Sequence, residues 1–439
     1  MAYRTFPRRQ THPNRLAAVA TLFGMKPAPV ARCRVLEIGC GAGGNVIPLA
    51  YHLPESRFVG IDVAVQPIDA ARRAAAALEL GNLDLRAADL RDLGAADGEF
   101  DYIFAHGLYS WIPPDVRDRL LAVCRERLTA HGVAFVSYNV YPGRYPRHML
   151  REILLRHTRG VEDPWARIAK ARRLLAQLPH EEAAALLEQG DDILFHDDLA
   201  PVNQAVWFHE FASHAGRHGL QYLGEADLHE MFDPREIPPG DVLEREQYLD
   251  FLKLRRFRQT LLCRAGVKLT RAVDARRMPE FLFSENPHGH RVPGNDAAVE
   301  AVSQALKDTS PLPVDFAELI PYAGTRKTLR EILFALLKAG CVDLHVYDFP
   351  CEESVSARPR ASRLVRYQAA AGGNVTNACH IPVELDPVAR EMILLLDGTR
   401  TLSEIARDLA ALPGAPPRAM IRRRLPSSLD WAARMALLE

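Results

Sequence analysis

Apolar and polar positions alternate with two different periods through residues 33–140. Short apolar runs of strand length are separated by stretches, such as 44–53 and the Ala-rich 65–80, in which apolar residues recur at helical spacing. This alternation is typical of a parallel sheet covered by helices on both faces. The predicted strands span 33–38, 57–62, 83–87, 102–105, 133–138, 220–223 and 260–263, and further helices span 115–129, 203–217 and 243–257. The sequence therefore predicts a doubly wound α/β domain with a mostly parallel sheet of seven strands.

The alternation stops after residue 144. Residues 145–200 are rich in Arg, Leu, Ala, Glu and His, and their pattern is helical throughout. Strand signals return at 220–223, so we interpret 145–200 as a helical insertion. It would follow the fifth strand and stand above the carboxyl ends of the strands. Residues 1–144 and 201–266 then form the sheet domain.

The pattern changes again from about residue 267. A polar, Gly- and Pro-rich linker at 285–296 precedes elements in a different order. Predicted helices span 297–308, 327–339, 386–396, 401–411 and 427–438, with a strand at 342–347 and a loop at 349–360. Short helices trailed by a strand are typical of winged-helix-like folds. The sequence predicts two such α+β modules, 267–360 and 361–439.

The composition is that of a globular protein with more than one domain. The chain has 439 residues, too many for one ordinary core, and its 55 Lys and Arg are matched by 55 Asp and Glu. Because there is no basic surplus, nucleic acid is a disfavoured partner. The seven cysteines form no CxxC pair, which argues against a disulfide framework or a zinc site.

The N-terminal stretch loosely mimics a secretion signal, because Arg8 and Arg9 precede the apolar residues 16–25. No small-residue cleavage site follows, and no apolar run reaches the roughly 18 residues that a membrane helix needs. We interpret 14–24 as an amphipathic helix that leads into the sheet domain. The protein is accordingly expected to be cytoplasmic, with no membrane partner.

A glycine-rich loop follows the first predicted strand. The strand ends near Glu37, and glycines at 39, 41 and 43 give an ExGxGxG spacing, not the GxGxxG of dinucleotide sites. Glycines allow a sharp turn and a close approach of the backbone to a ligand. A carboxylate at this point would repel a pyrophosphate, but it suits a ligand with a cationic amino-acid end, such as S-adenosylmethionine. A dinucleotide site and a turn that binds nothing are the alternatives.

Acidic residues also follow the next two strands. Asp62 ends the second strand, where a carboxylate can accept hydrogen bonds from two ribose hydroxyls. Asp89 follows the third strand, where it can accept the adenine amino group, with Leu90 against the ring. The predicted cofactor-binding residues are Glu37, Gly39, Cys40, Gly41, Gly43, Asn45, Asp62, Asp89, Leu90 and His106.

These motifs resemble those of a known family. Residues 33–140 look like a class I methyltransferase domain, dependent on S-adenosylmethionine. The stretches HPNRLAAVATLFG, EIGCGAGGNVIPLA, AHGLYSWIP, SYNVYPG, FHEFASHAGRHGLQYLGEADL, FRQTLLC and ELDPVAREMILLLDGTRTL resemble the bacterial group that includes the rickettsial protein-lysine methyltransferases. The resemblance implies that the helical insertion is a methyltransferase regulatory domain, that the C-terminal part is winged-helix-like, and that a protein lysine is the methyl acceptor.

Candidates for the chemistry cluster after the fourth and fifth strands. His106 is either a base or a packing residue beside the adenosine. Tyr109 and Trp111 either form an aromatic wall that attracts a methylammonium or sulfonium, or simply pack against the sheet. Tyr138 and Asn139 either accept a hydrogen bond from a substrate amine at the opening, or belong to a polar turn. These five are the predicted catalytic residues.

Three other polar clusters have simpler interpretations beside the functional ones. His209 and Glu210 share a predicted helix, as an acid–base pair near the cleft or as capping and packing residues. The run His196-Asp197-Asp198 lacks a second partner at ligand spacing, so we interpret it as a helix start and predict no metal. The basic run 253–258 is expected to be a solvated face or a contact for acidic partners.

The predicted reaction is the transfer of a methyl group to an amine. The motif [DNS]PPY, found in enzymes that modify base amines or glutamine amides, is missing after the fourth strand, which argues against a nucleic-acid base as acceptor. A protein or peptide lysine is favoured by the resemblance. A small-molecule N- or O-methyltransferase and a regulator that binds the cofactor without catalysis are the alternatives. A homodimer stays open as an assembly.

Overall fold

The computed structural model describes residues 5–233, 235–287, 289, 296–352, 354–414 and 416–439, so most of the predicted linker at 285–296 lies outside the described residues. The strands are β1 (Arg34–Ile38), β2 (Arg57–Asp62), β3 (Leu83–Ala87), β4 (Phe100–Ala105), β5 (Leu128–Asn139), β6 (Leu220–Glu225), β7 (Phe257–Arg264), β8 (Leu282–Glu285), β9 (Val314–Asp315), β10 (Val342–His345), β11 (Val375–Thr376) and β12 (Pro382–Val383). The helices are α1 (Pro13–Leu22), α2 (Val46–His52), α3 (Val65–Ala77), α4 (Pro114–Arg127), α5 (Tyr145–His157), α6 (Pro164–Leu175), α7 (Glu181–Glu188), α8 (Asp191–Ile193), α9 (Phe208–Arg217), α10 (Val242–Lys253), α11 (Ala297–Thr309), α12 (Phe316–Ala323), α13 (Arg326–Lys338), α14 (Arg363–Ala370), α15 (Pro387–Leu395), α16 (Leu402–Ala410) and α17 (Arg418–Arg434).

Strands β1–β7 form one sheet in the order β3-β2-β1-β4-β5-β7-β6. β1 pairs in parallel with β2 and β4, β2 with β3, and β4 with β5, whereas β7 runs antiparallel to β5 and β6. The prediction of a doubly wound, mostly parallel sheet of seven strands is confirmed. The strand order reverses between β1 and β4, and ligands of open α/β sheets bind at the carboxyl ends of the strands at such a point.

Helices cover both faces of this sheet. Val35 of β1 packs into the core beneath α1, α2 and α3, while its neighbours Leu36 and Ile38 pack into the core beneath α4 and α9. Side chains alternate between the two faces of a strand, and burying each aliphatic side chain contributes about 1.5–3 kcal/mol. The strand tips are therefore held rigidly from both sides.

Helix α1 differs from the amphipathic helix that the sequence predicts. It is buried on nearly all sides, and Leu16, Ala17 and Val19 are at most 1% exposed. Its alanines allow close packing between the sheet and the first C-terminal module, where Asn14 Nδ2 donates to Tyr347 O at 3.0 Å. None of the helices in the described part of the chain is long and apolar enough to cross a membrane.

Helices α5, α6 and α7 surround a small apolar core of their own, which includes Leu150, Leu154, Ile168, Leu175 and Leu186. Arg147 of α5 forms a buried two-point ion pair with Asp198, at 2.8 and 2.7 Å. This pair ties the end of the helical segment back to its beginning.

Two arginines of the basic run 253–258 are buried, contrary to the expectation of a solvated face. Arg258 is fully buried and donates to Glu225 Oε1 at 2.5 Å and to Asp250. Arg255 donates to Asp250 Oδ1 at 2.9 Å. A buried guanidinium requires such carboxylate partners, and a charge run seen in sequence does not reveal partners on other elements.

The C-terminal part has two modules. In the first, α11–α13 pack with the three-stranded sheet β10-β8-β9, and their core is continuous with that of the sheet domain. In the second, α14–α17 and the β11–β12 hairpin surround a separate core. The helix predicted at 427–438 is instead α17, which begins at Arg418 and contains Pro426. A proline inside a helix normally breaks it, which hides this helix from sequence reasoning.

Candidate functional site

A cavity of about 710 Å³ opens at the carboxyl ends of β1, β2 and β4. Glu37 and the glycine loop form one wall, Asp62 and the start of α3 form another, and His106–Leu108 form a third. The structure thus brings together seven of the residues predicted for the cofactor. Those that line the cavity are Glu37, Gly39, Cys40, Gly41, Asn45, Asp62 and His106.

The glycine loop between β1 and α2 adopts backbone conformations that favour glycine. Gly39, Gly41 and Gly43 have φ of 79°, 52° and 77°. A Cβ at Gly41 would approach Thr5 Cγ2 to 2.7 Å, so a side chain there would also have to displace this methyl group. Gly43 does not itself line the cavity; a Cβ there would meet Ile47 of α2 at 2.7 Å.

Glu37 lines the cavity and keeps one carboxylate oxygen unsatisfied among the described residues. Its Oε1 accepts a hydrogen bond from Asn45 Nδ2 at 2.9 Å, while the buried Oε2 has no partner in the part of the chain that the structure describes. Burial raises the pKa of Glu37 to about 7. A buried acceptor without a partner is costly, so this oxygen is poised for a ligand donor, and a cationic donor would restore the charged form of the carboxyl.

Asp62 is held in place by the loop it faces. Its Oδ2 accepts from the Gly41 N–H and its Oδ1 from the Ala64 N–H, each at 2.9 Å. Each carboxylate oxygen can accept a second hydrogen bond. The residue is therefore fixed in orientation and still able to receive ligand hydroxyls.

His106 lies at the tip of β4 with its ring oriented by Ser137. The Gly107 N–H donates to Ser137 Oγ at 2.7 Å, and this oxygen lies 3.2 Å from His106 Nδ1. Burial lowers the pKa of His106 to about 3. The imidazole is neutral and a poor proton acceptor, which favours the packing interpretation over the base.

The N-terminal segment contributes a wall that sequence reasoning missed. Thr5, Phe6 and Arg8 line the cavity. Thr5 Oγ1 accepts from the Gly44 N–H at 3.1 Å, and the Arg8 N–H donates to Asn45 Oδ1 at 2.9 Å. This irregular segment has no periodic pattern before α1, and no local signal places it on the glycine loop.

A residue of the second C-terminal module also reaches this site. His380 is buried, and its Nε2 lies 2.9 Å from Asn45 Oδ1. Because Asn45 donates through Nδ2 to Glu37, its Oδ1 is the acceptor and His380 is the donor. A chain of hydrogen bonds thus runs from the C-terminal module through Asn45 to Glu37, across 335 residues of sequence.

Replacing His380 with alanine is expected to weaken binding of S-adenosylhomocysteine about tenfold, the effect of one lost hydrogen bond of about 1–1.5 kcal/mol. His380→Gln, which keeps a donor, should recover part of the affinity. Titration calorimetry with S-adenosylhomocysteine and with 5′-methylthioadenosine, which lacks the amino-acid end, separates positioning from misfolding. An equal loss for both ligands would contradict a role through Glu37.

Asp89 and Leu90 do not line the cavity. Asp89 forms a two-point ion pair with Arg91, 2.6 Å at the shorter contact, and also caps the turn by accepting from the Arg91 N–H. Leu90 is buried in the core beneath α4. Asp89 therefore has a local partner in Arg91, two positions along the chain.

Four predicted catalytic residues also lie away from the cavity. Tyr138 is fully buried, stacks on Phe211 at 4.0 Å between ring centroids and bonds Thr260. Because side chains alternate along β5, Ser137 faces His106 and Tyr138 faces the opposite side of the sheet. Tyr109 packs against the same Phe211, at 5.0 Å. These aromatics belong to the core, so they do not wall the cavity.

The remaining polar candidates have structural partners. Asn139 Nδ2 donates to Asn203 Oδ1 at 2.7 Å, and Trp111 hydrogen-bonds Asp197. His209 Nδ1 lies 2.9 Å from Gln247 Oε1, and Glu210 caps its helix by accepting from the Trp207 N–H. Of the cluster interpreted as a helix start, His196 lines the cavity.

Three family models match the chain. Residues 35–132 match a model described as a methyltransferase domain, residues 190–264 one described as a predicted methyltransferase regulatory domain, and residues 357–413 one described as a PKMT C-terminal winged helix domain. The regulatory match covers α9, β6, α10 and β7, whereas the resemblance attached that name to the helical segment 145–200.

Similar proteins come from Rickettsia. An uncharacterized protein of Rickettsia prowazekii, RP789, is 36% identical over 302 residues, which are 64% of this chain and 54% of that protein. A second, RP028, is 29% identical over 50% of this chain and 94% of its own length. The chain thus spans about half the length of the first relative.

Solved structures of PKMT2 from Rickettsia typhi, one in complex with AdoHcy, match 99% of this chain and 99% of their own, with a TM-score of 0.85 and 24% and 23% identity. The sheet, the glycine-loop cavity and the matched models define a class I S-adenosylmethionine-dependent methyltransferase domain. The whole chain has the fold of PKMT2, with a winged-helix domain at its C-terminus.

Proposed function

We propose that this protein transfers a methyl group from S-adenosylmethionine to the side-chain amine of a lysine in a protein or peptide. The observation that supports cofactor binding is the buried Glu37 Oε2, which has no partner among the described residues, on a residue that lines a cavity built by a glycine loop. Support for a lysine acceptor comes from the PKMT name of the winged-helix model and of the solved structures with the same fold.

Different residues of the cavity suit different parts of this cofactor. Glu37 would accept from the ammonium, and Asp62 would accept from the ribose hydroxyls. The glycine loop would let its backbone approach the ligand closely. The bound cofactor supplies an activated methyl group on a sulfonium, so this chain has to hold, align and shield the reactants.

A lysine acceptor must lose a proton before it attacks, because its amine titrates near 10.4 in water. His106 is a poor acceptor for that proton, since burial lowers the pKa of its imidazole to about 3. Asp197 follows the cavity residue His196, and burial raises its pKa to about 6.

Replacing His106 with alanine is expected to lower kcat through lost packing while leaving the pH profile of kcat/KM unchanged in shape. The reason is that a group with a pKa near 3 does not titrate across the working range. The profile should be recorded at saturating cofactor with varied peptide. If kcat/KM of wild type changes with pH between 5 and 8 and that of His106→Ala does not, His106 acts as a base.

Methyl-labelled S-adenosylmethionine incubated with the enzyme and bacterial lysate tests the proposal. Labelled protein should be separated from labelled small molecules and hydrolysed, and label should co-migrate with methyl-lysine. Asp62→Ala serves as the control and should leave the lysate unlabelled. Label in small molecules alone would favour the hypothesis of a small-molecule methyltransferase. No label at all would favour a regulator that binds the cofactor without catalysis.

A further inference from the structure

Three potential metal ligands meet where α4 packs against the end of α9. Asp118 Oδ1 lies 2.9 Å from His218 Nε2 and 3.3 Å from His214 Nε2. The three ligand atoms all lie within 4.8 Å of one another. Atoms bound tetrahedrally to one zinc ion at about 2.0–2.1 Å are roughly 3.3 Å apart, close to the two distances between Asp118 and the imidazoles.

The spacing of the two histidines suits a shared ion. Residues four apart lie on the same face of a helix, and His214 and His218 follow one another along α9 and its C-cap. The same spacing provides two zinc ligands in helical metal-binding motifs. Their imidazole rings are largely buried, while Asp118 is exposed at the rim and accessible to an ion from solvent.

Tyr109 orients the first of these ligands. Its phenol Oη lies 2.9 Å from His214 Nδ1, and the ring of Tyr109 is itself buried against Phe211. With a metal ion bound at Nε2, Nδ1–H would donate to this oxygen and hold the ring in place. Metal-binding histidines almost always have such a partner on the other ring nitrogen, because it fixes the tautomer and the orientation of the ring.

We propose that Asp118, His214 and His218 form a binding site for a divalent transition metal, with Zn²⁺ as the preferred ion. Two imidazole nitrogens and one carboxylate oxygen match the donor preferences of zinc, and a fourth position remains for water. The ion would cross-link α4 to α9, and none of its three ligands lines the cofactor cavity. Local spacing does not reveal this cluster, because Asp118 lies 96 residues before His214.

Zinc titration of the full chain, freed of any purification tag, tests the site. Wild type is expected to bind one Zn²⁺ with a dissociation constant in the micromolar range. Asp118→Asn and His218→Ala should each weaken binding by about tenfold or more, and Tyr109→Phe by about tenfold through loss of the ring's orienting partner. The exposed His157→Ala on α5 is the matched control and should bind like wild type.

Thermal melting provides the second readout. Zn²⁺ should raise the melting temperature of wild type and His157→Ala but not that of Asp118→Asn, and without zinc all three should melt alike. Asp118→Asn is nearly isosteric at an exposed position, so it keeps the test decisive even if His218→Ala folds poorly. Absence of zinc binding, or equal binding by wild type and Asp118→Asn, would show a hydrogen-bonded cluster only.

Discussion

Glu37→Gln is expected to weaken binding of S-adenosylmethionine about 100-fold, or roughly 3 kcal/mol, within the range for removing one member of a buried charge pair. Glu37 Oε2 is a buried acceptor with no partner in the described ranges of the chain. Glutamine keeps the shape of the side chain and a carbonyl for Asn45, but it loses the charge that the ligand ammonium needs. Titration calorimetry measures the change.

The exposed Glu55→Gln is the matched control for this experiment and should bind like wild type. An affinity of Glu37→Gln within threefold of wild type would show that the ammonium lies elsewhere. Binding of 5′-methylthioadenosine should be measured as well, as for the His380 variants. Glu37→Gln should bind 5′-methylthioadenosine normally, because that ligand has no ammonium to lose.

The same residue makes cofactor affinity depend on pH. Burial raises the pKa of Glu37 in the cofactor-free protein from 4.5 to about 7. Below pH 7 the carboxyl must release a proton to bind a cation, so wild-type affinity should rise towards pH 7 and level off above it. The stability contributed by the protonated form is complete below about pH 4.5 and is lost as pH rises through 7. Glu37→Gln should show neither dependence on pH.

Asp62→Ala is expected to weaken binding of both S-adenosylhomocysteine and 5′-methylthioadenosine about 100-fold. Hydrogen bonds to a charged acceptor contribute about 1.5–3 kcal/mol each, and two ribose hydroxyls would lose their acceptor. The Gly41 and Ala64 N–H groups also lose their acceptor, which loosens the glycine loop. S-adenosylhomocysteine and 5′-methylthioadenosine share the ribose, so calorimetry should show equal losses. Glu37→Gln, in contrast, should lose affinity only for the ligand that has an ammonium group.

A melting curve separates a lost contact from a lost fold. Asp62 is only partly buried and lies at a strand tip, so Asp62→Ala should melt within a few degrees of wild type. Unchanged affinity for 5′-methylthioadenosine would mean that the ribose does not contact Asp62. A collapse of the melting temperature would mean that the carboxylate is needed for the loop to fold.

Local patterns were enough to predict the sheet and three walls of the cavity. Strand–helix alternation predicts the order of elements, and parallel strands bring their carboxyl ends to one edge. Glu37, Asp62 and His106 each end or follow such a strand, so their convergence follows from the fold. The glycine spacing adds the turn that lets a ligand approach.

Other parts of the site depend on information that local patterns lack. The sequence at a strand tip does not show which face of the sheet a side chain takes. In β5, Ser137 faces His106, whereas its neighbour Tyr138 faces the opposite side. Asp89 pairs locally with Arg91 and does not line the cavity, and its predicted contact with adenine stays a prediction. Thr5 and His380 reach the glycine loop from 39 and 335 residues away, through packing that no sequence period records.

The central claim is that Glu37, the glycine loop and Asp62 form one pocket for a sulfur nucleoside with an ammonium group. Calorimetric titration of S-adenosylhomocysteine into the wild-type chain at pH 8 tests it most directly. We expect saturable binding of one molecule per chain and no response to NADH at the same concentration. A flat titration with S-adenosylhomocysteine, or saturable binding of NADH, would contradict the claim.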